Sequence, residues 1–362
     1  MVKLKEMIRK ISPVLISPTS TSLTISLSKR FFLFTFMNKA IRTIEDDPYL
    51  NFISLLKNYK ILGRILYGTL DEFYRDRNSL YFKNFFMDNK LYQLVKSDLI
   101  RLKDYKDIKM TITKRGVIIY DNYKKNSFNV LLMTAHSGTW LPKKIKEKMN
   151  LKDEFRYIEE DVETDKIYSR LVLEKAGIWI DNKMSRFACD FNRGVDTSIY
   201  TNKSETFFNV RRLWKKKLSK AEIKDLHKSY ADFYFTLAQL IDSYRFNIIF
   251  DGHSMKNLKG RPGISFGVKY VPHFYLPIVK SMQKKLNGLG YNPVRINYPY
   301  SGGYILRWLN SRFPDVFIFS MEINKSLYMT KNMKKIKPRK MEKLSKDLEQ
   351  VFDIEVDDFE SY

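Results

Sequence analysis

Three short apolar runs constrain this chain more than any other feature, because each ends abruptly in residues suited to chemistry. They are Asn129-Val130-Leu131-Leu132-Met133-Thr134, Asn247-Ile248-Ile249-Phe250, and Val316-Phe317-Ile318-Phe319-Ser320-Met321-Glu322-Ile323-Asn324. Continuous apolar stretches of this length suit strands buried on both faces, as in parallel or mixed sheets. The first run leads into Ala135-His136-Ser137-Gly138 and the second into Asp251-Gly252-His253-Ser254-Met255. An amphipathic helix over Ala221 to Arg245, with Leu226, Tyr230, Phe233, Leu237, Leu240 and Ile241 on one side, feeds the second run. Ile112, Gly116 to Tyr120, Ile178 to Ile180 and Val294 to Asn297 read as further strands, and the alternation with helices gives an α/β sheet. Ligands of such sheets bind outside the carboxyl ends of the strands, where both histidines are placed.

The remaining chain is organised around this sheet. Residues 1–37 form a basic, hydroxyl-rich leader, and its Phe31 to Phe36 patch is too short to span a bilayer. We expect a disordered leader, with organelle targeting and an alternative start at Met37 left open. Residues 38–109 read as a helical extension, with Leu50, Ile53, Leu55, Leu56, Ile61, Ile65, Leu66 and Leu70 at helical spacing. Residues 110–330 hold the catalytic elements, and 331–362 a charged peripheral helix and tail. A helix is expected from Asp161 to about Ala176, with the acidic run Glu159-Glu160-Asp161 at its N-terminus, where the macrodipole favours carboxylates. Gly260 to Gly267 reads as a loop, followed by a helix from Val271 to Leu286. His227 and His273 have no partners visible in the sequence.

With 44% hydrophobic and 15% aromatic residues among 362, the chain has ample material for a core. The net charge of +25 would attract polyanions, but the lysines are spread along nearly every segment and no reader motif accompanies them, which argues against nucleic acid as a partner. Cys189 is the sole cysteine, excluding an intrachain disulfide and a cysteine-based zinc site and pointing to a reducing compartment, the cytoplasm.

Two histidines at strand ends, an acidic run, Arg186 and Arg193, and Glu322 inside an apolar strand make up the parts of a zinc hydrolase acting on an amide beside a carboxylate. A carboxylate in an apolar strand is costly to bury without a task, and burial raises its pKa toward the range of proton transfer. Arginine's planar donor fork suits a carboxylate or a developing oxyanion. The compact His-x-x-Glu pair of many zinc sites is absent, because Thr139 stands third after His136.

The order of the short motifs adds a further reading. His136-Ser137-Gly138, Asp161 with Ile167-Tyr168, Ser185-Arg186-Phe187 with Asp190-Phe191-Asn192-Arg193, Asp251-Gly252-His253-Ser254, Gly302-Gly303, and Met321-Glu322-Ile323 with Tyr328-Met329 together resemble the N-formylglutamate amidohydrolase family. The resemblance covers about Ile112 to Met329. It implies a three-layer α/β/α fold with a mixed, mostly parallel sheet, like that of zinc carboxypeptidases, and hydrolysis of an N-acyl group from a small acidic amino acid. Carried over by position, it implies one zinc ion held by His136, His253 and Asp161, with Glu160 as the alternative carboxylate. Glu322 would be the general base, Arg186 the oxyanion contact and Arg193 the clamp on the substrate carboxylate. Asn192, Gly302 and Gly303 would line the pocket, and Asp251 and Asp190 would support the ligands from behind. The segments Tyr298 to Ser301 and Gly263 to Gly267 depart from the family pattern, with no acidic residue after the loop glycine. A peptide or protein terminus is therefore an alternative substrate, and a non-enzymatic basic binding protein on a hydrolase scaffold is a further alternative.

Overall fold

A computed structural model of the chain describes residues 65–86, 88–201 and 212–352. The expected leader, the first part of the extension and the acidic end of the tail lie outside the described residues. The described chain opens with strand β1 (Ile65–Thr69) and helices α1 (Leu70–Asp76), α2 (Leu80–Phe85) and α3 (Asn89–Arg101). Strands β2 (Lys109–Thr113), β3 (Val117–Asn122) and β4 (Val130–Thr134) follow, then helices α4 (Lys143–Lys148), α5 (Asp153–Glu159) and α6 (Thr164–Tyr168), and a π turn over Leu171–Lys175. Strand β5 (Gly177–Asn182), helix α7 (Lys220–Ser243), and strands β6 (Ile248–Met255) and β7 (Ile264–Gly267) come next. The chain continues through α8 (Leu276–Gly288), β8 (Val294–Ile296), α9 (Tyr304–Arg312), β9 (Phe317–Asn324) and α10 (Pro338–Val351).

The nine strands form one sheet in the order β1-β2-β3-β5-β4-β6-β9-β7-β8. The central strands β5, β4, β6 and β9 pair in parallel, β1, β2, β3 and β5 pair antiparallel, and β7 runs antiparallel to β9. The architecture is the expected α/β/α one, built on a mixed sheet. From β4 the chain moves to β5 on one side, then returns as β6 on the other. Such a reversal opens a crevice at the carboxyl ends of β4 and β6, the usual seat of a ligand. The apolar runs read from the sequence are these central strands: Leu131, Leu132, Ile249, Phe250, Ile318 and Phe319 are fully buried. Phe250 packs on Tyr168 of α6 and on Phe352 just beyond α10, while α7 and α9 lock together through Tyr234 and Trp308.

The structure departs from the local pattern in three places. Ile65–Thr69, read as helical, is a strand paired with Lys109–Thr113, with Leu66 buried and its neighbours Ile65 and Tyr67 half-buried. Pairing along the sheet overrides a short helical spacing. The segment read as a loop contains β7, whose four buried residues sit between β8 and β9. The acidic run does not open a helix: Glu159 ends α5, Glu160 is its C-cap, and Asp161 lies in the following turn. Carboxylates gain nothing from the macrodipole at a helix C-terminus, so other partners must hold them there.

Helix α10 is docked rather than merely peripheral, with Leu344, Leu348 and Val351 buried and Ser345 donating to the Ile167 carbonyl. Leu348→Ala should lower the unfolding free energy by about 2 to 4 kcal/mol in urea denaturation. An unchanged midpoint and slope would show that α10 does not belong to the folded core.

Candidate metal and active site

Four chain segments converge on the carboxyl edge of the central strands. His136 stands two residues beyond the end of β4, and His253 lies near the end of β6, beside Glu322 on β9 as its register partner. Register partners in a parallel pair project from the same face, so Asp251 and His253 face the same side as Ser320 and Glu322. Asp161 arrives from the turn after α5, its N–H donating to the His136 carbonyl. Among the described residues, His136, Asp161 and His253 are the group of buried metal-ligating types whose donor atoms lie within 4.8 Å of one another.

The atoms are arranged around one oxygen. Asp161 Oδ2 lies 3.0 Å from His253 Nδ1 and 3.6 Å from His136 Nδ1. The opposite ring nitrogens are taken up by carboxylates: His136 Nε2 is 2.7 Å from Asp190 Oδ1, and His253 Nε2 is 2.7 Å from Asp251 Oδ2. An ionised carboxylate can only accept, so each ring donates from Nε2 and turns Nδ1 toward Asp161. Metal-binding histidines are held this way, the second nitrogen donating to a carboxylate. Two imidazoles and a carboxylate, with donor atoms within 4.8 Å of one another, are a donor set that fits a divalent cation.

The carboxyls of Asp161, Asp190, Asp251 and Glu322 surround the two rings, and Arg186, Lys256 and Lys325 line the same cavity. Although burial opposes it, hydrogen bonds from both histidines hold the Asp161 carboxyl well below its usual range. Burial pushes Glu322 up to about 8, His253 pulling against it and the charges of Asp161 and Asp251 adding to it. Burial likewise lowers Lys325 to about 8.

A cavity of about 360 Å³ opens over the cluster. His136, Asp161, Arg186, Asn192, His253, Gly302, Gly303 and Glu322 are among the residues that line it. Arg186 Nη2 donates to Asp190 Oδ2 at 2.9 Å, and Nε and Nη2 both donate to the Tyr200 hydroxyl. Asn192 receives the Ile305 N–H at the start of α9 and lies 3.3 Å from His253 Nε2. A Cβ at Gly303 would stand 2.2 Å from the Asn192 amide, so a side chain there would displace Asn192.

Two expectations resolve differently. Glu160 does not join the cluster: it pairs with Arg156 and accepts from Ser185, and burial raises its carboxyl to about 7. Arg193 does not line the cavity; its guanidinium lies over the Tyr200 ring and 3.7 Å from Asp190 Oδ2. The sequence reading missed Lys256 and Lys325, which line the cavity one residue beyond β6 and β9. Their position at strand ends was the available signal, hidden among 65 Lys and Arg. Lys325 donates to the Ile158 and Glu160 carbonyls, and Lys256 pairs with Glu159 at 2.8 Å.

The fold and site define an α/β protein with a buried, carboxylate-supported His-Asp-His cluster in a cavity at a sheet edge. A model of the N-formylglutamate amidohydrolase family matches residues 128–329, and the chain belongs to that family. Among solved structures it is similar to N-formylglutamate amidohydrolase from Ralstonia eutropha JMP134, at 18% identity and a TM-score of 0.55, over 66% of this chain and 95% of that one. A gene product from Agrobacterium tumefaciens is similar at 18% identity and a TM-score of 0.52, over 68% and 96%. A metallo-carboxypeptidase from Pseudomonas aeruginosa is more distant, at 11% identity and a TM-score of 0.33 over 70% and 62%. No curated protein matches the chain. No helix of the described residues is long and apolar enough to cross a membrane.

Gly252, between Asp251 and His253, lets β6 approach α6: a Cβ there would stand 2.5 Å from the Tyr168 ring. The Tyr168 hydroxyl donates to the His253 carbonyl at 2.9 Å. Gly252→Ala should therefore cost about 1 to 3 kcal/mol in chemical denaturation, since a buried ring must shift. Wild-type stability would mean that Tyr168 does not fix this part of β6.

Proposed function

We propose that this chain is a zinc-dependent amidohydrolase that cleaves the amide of a small N-acyl acidic amino acid. The observation carrying this reading is the buried His136, Asp161 and His253 cluster with Glu322 beside it, opening on a cavity rimmed by cations. A divalent ion held there supplies Lewis acidity and acidifies water at neutral pH. Glu322, with its proton affinity raised by burial, accepts the proton of the attacking water and returns it to the departing nitrogen. Arg186 faces the charge that develops on the carbonyl oxygen. Its Nε and Nη2 are engaged by Tyr200 and Asp190, which fixes its plane and leaves Nη1 to meet the substrate.

The substrate carboxylate falls to the wall rather than to Arg193. Lys256, which lines the cavity and pairs there with Glu159, is the group assigned to it, since Lys325 is tied to two backbone carbonyls and Arg186 is assigned to the carbonyl oxygen. A cavity of about 360 Å³ suits a small acyl amino acid better than a folded protein end. The name of the similar Ralstonia protein makes N-formylglutamate the first substrate to assay. The single buried cysteine, whose thiol burial pushes up to about 12, fits residence in the reducing cytoplasm.

The test combines metal analysis with turnover of N-formyl-L-glutamate and related N-acyl amino acids. His136→Ala and His253→Ala should each lose zinc and activity. Glu322→Gln should keep zinc while kcat falls about 10² to 10⁴-fold. Full zinc occupancy in both histidine variants, or an active Glu322→Gln enzyme, would refute this reading.

A further inference from the structure

The family-matched residues begin at 128, yet the segment ahead of them reaches toward the cluster from behind. Asp98, near the end of α3, is buried together with Lys183, Asp181 and Asp165. Lys183 Nζ lies 2.5 Å from Asp98 Oδ2 and 2.5 Å from Asp181 Oδ2, with Asp165 Oδ2 at 3.7 Å. Arg101 Nη2 stands 3.4 Å from Asp98 and 3.8 Å from Asp165, so three carboxylates share two cations. Burial opposes the charge on Lys183, but Asp181, Asp98 and Asp165 hold its ammonium firmly protonated.

The other oxygen of Asp181 faces the loop that carries His136. It accepts the Thr134 hydroxyl at 2.7 Å and the Ser137 hydroxyl at 2.9 Å. Asn182 donates to the Ala135 carbonyl at 2.9 Å. The residues flanking His136 are thus held by the end of β5, and the orientation of Asp181 depends on where Lys183 stands between its partners. A buried ion cluster that loses one member must rearrange, because the remaining charges stay without solvent.

Building on the metal-site reading above, we propose that Asp98 is a positioning residue for His136, acting through Lys183 and Asp181. The region ahead of residue 128 then belongs to the working site rather than being an appended support. Removal of Asp98 turns Lys183 wholly toward Asp181 and Asp165, shifts the Asp181 carboxylate, and loosens the two hydroxyl contacts that set the His136 loop.

The chain has four histidines, so ring resonances of histidine-labelled, zinc-free protein can be followed one by one, with His136 assigned by its loss in His136→Ala. Asp98→Asn should move the His136 signals while leaving His227 and His273 in place. In competition with a chromophoric chelator, its zinc affinity should fall about tenfold. Asp181→Asn should weaken zinc at least as much, and the double variant no further than Asp181→Asn alone, because both act along one chain of contacts. If Asp98→Asn does not fold, Ser137→Ala, which leaves the ion cluster intact, must shift His136 and weaken zinc in the same direction. Folded Asp98→Asn with wild-type His136 signals and zinc affinity, an additive loss in the double variant, or an indifferent Ser137→Ala would each overturn the proposal. Wild-type protein that binds no zinc would instead sink the metal reading, while the zinc-free resonances would still decide the role of Asp98.

Discussion

One carboxylate oxygen, Asp161 Oδ2, stands between two imidazole nitrogens, and much of the surrounding structure serves to keep it there. Burying four carboxyl groups around two imidazoles is costly unless something offsets their charge. Arg186 and Lys325 offset part of it, and burial, with the charges of Asp161 and Asp251 adding to it, raises the proton affinity of Glu322. Asp190 and Asp251 fix which nitrogen of each ring faces inward, so they would select the ligand atoms of the proposed metal site as well as orient them. A divalent cation at the proposed site would offset part of that charge.

The sheet makes this arrangement possible. Parallel β4, β6 and β9 bring His136, His253 and Glu322 to one edge from residues far apart in sequence. The reversal of direction between β5 and β6 leaves room there for a ligand. Close contacts then set the fine geometry. Tyr168 packs on the bare backbone at Gly252, and Asn192 fits against Gly303 while receiving the N–H of Ile305. Lys325 ties β9 to the turn that presents Asp161, through the Ile158 and Glu160 carbonyls.

Much of this was legible in the sequence where a residue's role follows from its position on a strand. The buried central strands, both histidines and the in-strand glutamate could be read because continuous apolar runs announce buried strands, and such strands end at sites. Asp161 could be named but not separated from Glu160, since a one-residue difference in direction depends on Arg156 and Ser185, which only the folded chain brings together. Ile65–Thr69 and Ile264–Gly267 were hidden because short segments take their structure from the strands they join. Arg193 illustrates the converse: its place in a motif pointed to the cavity, whereas stacking on Tyr200 and attraction to Asp190 hold it aside. Lys256 and Lys325 could not be singled out by charge in a chain so rich in lysine.

Metal coordination by His136, Asp161 and His253 is measured by X-ray absorption at the zinc edge of protein loaded with one equivalent of the metal. Outer-shell scattering from two imidazole rings is predicted, with a first shell of nitrogen and oxygen only, as His136, His253 and Asp161 would provide. A spectrum with one imidazole or none, or with sulfur bound to the metal, would contradict it.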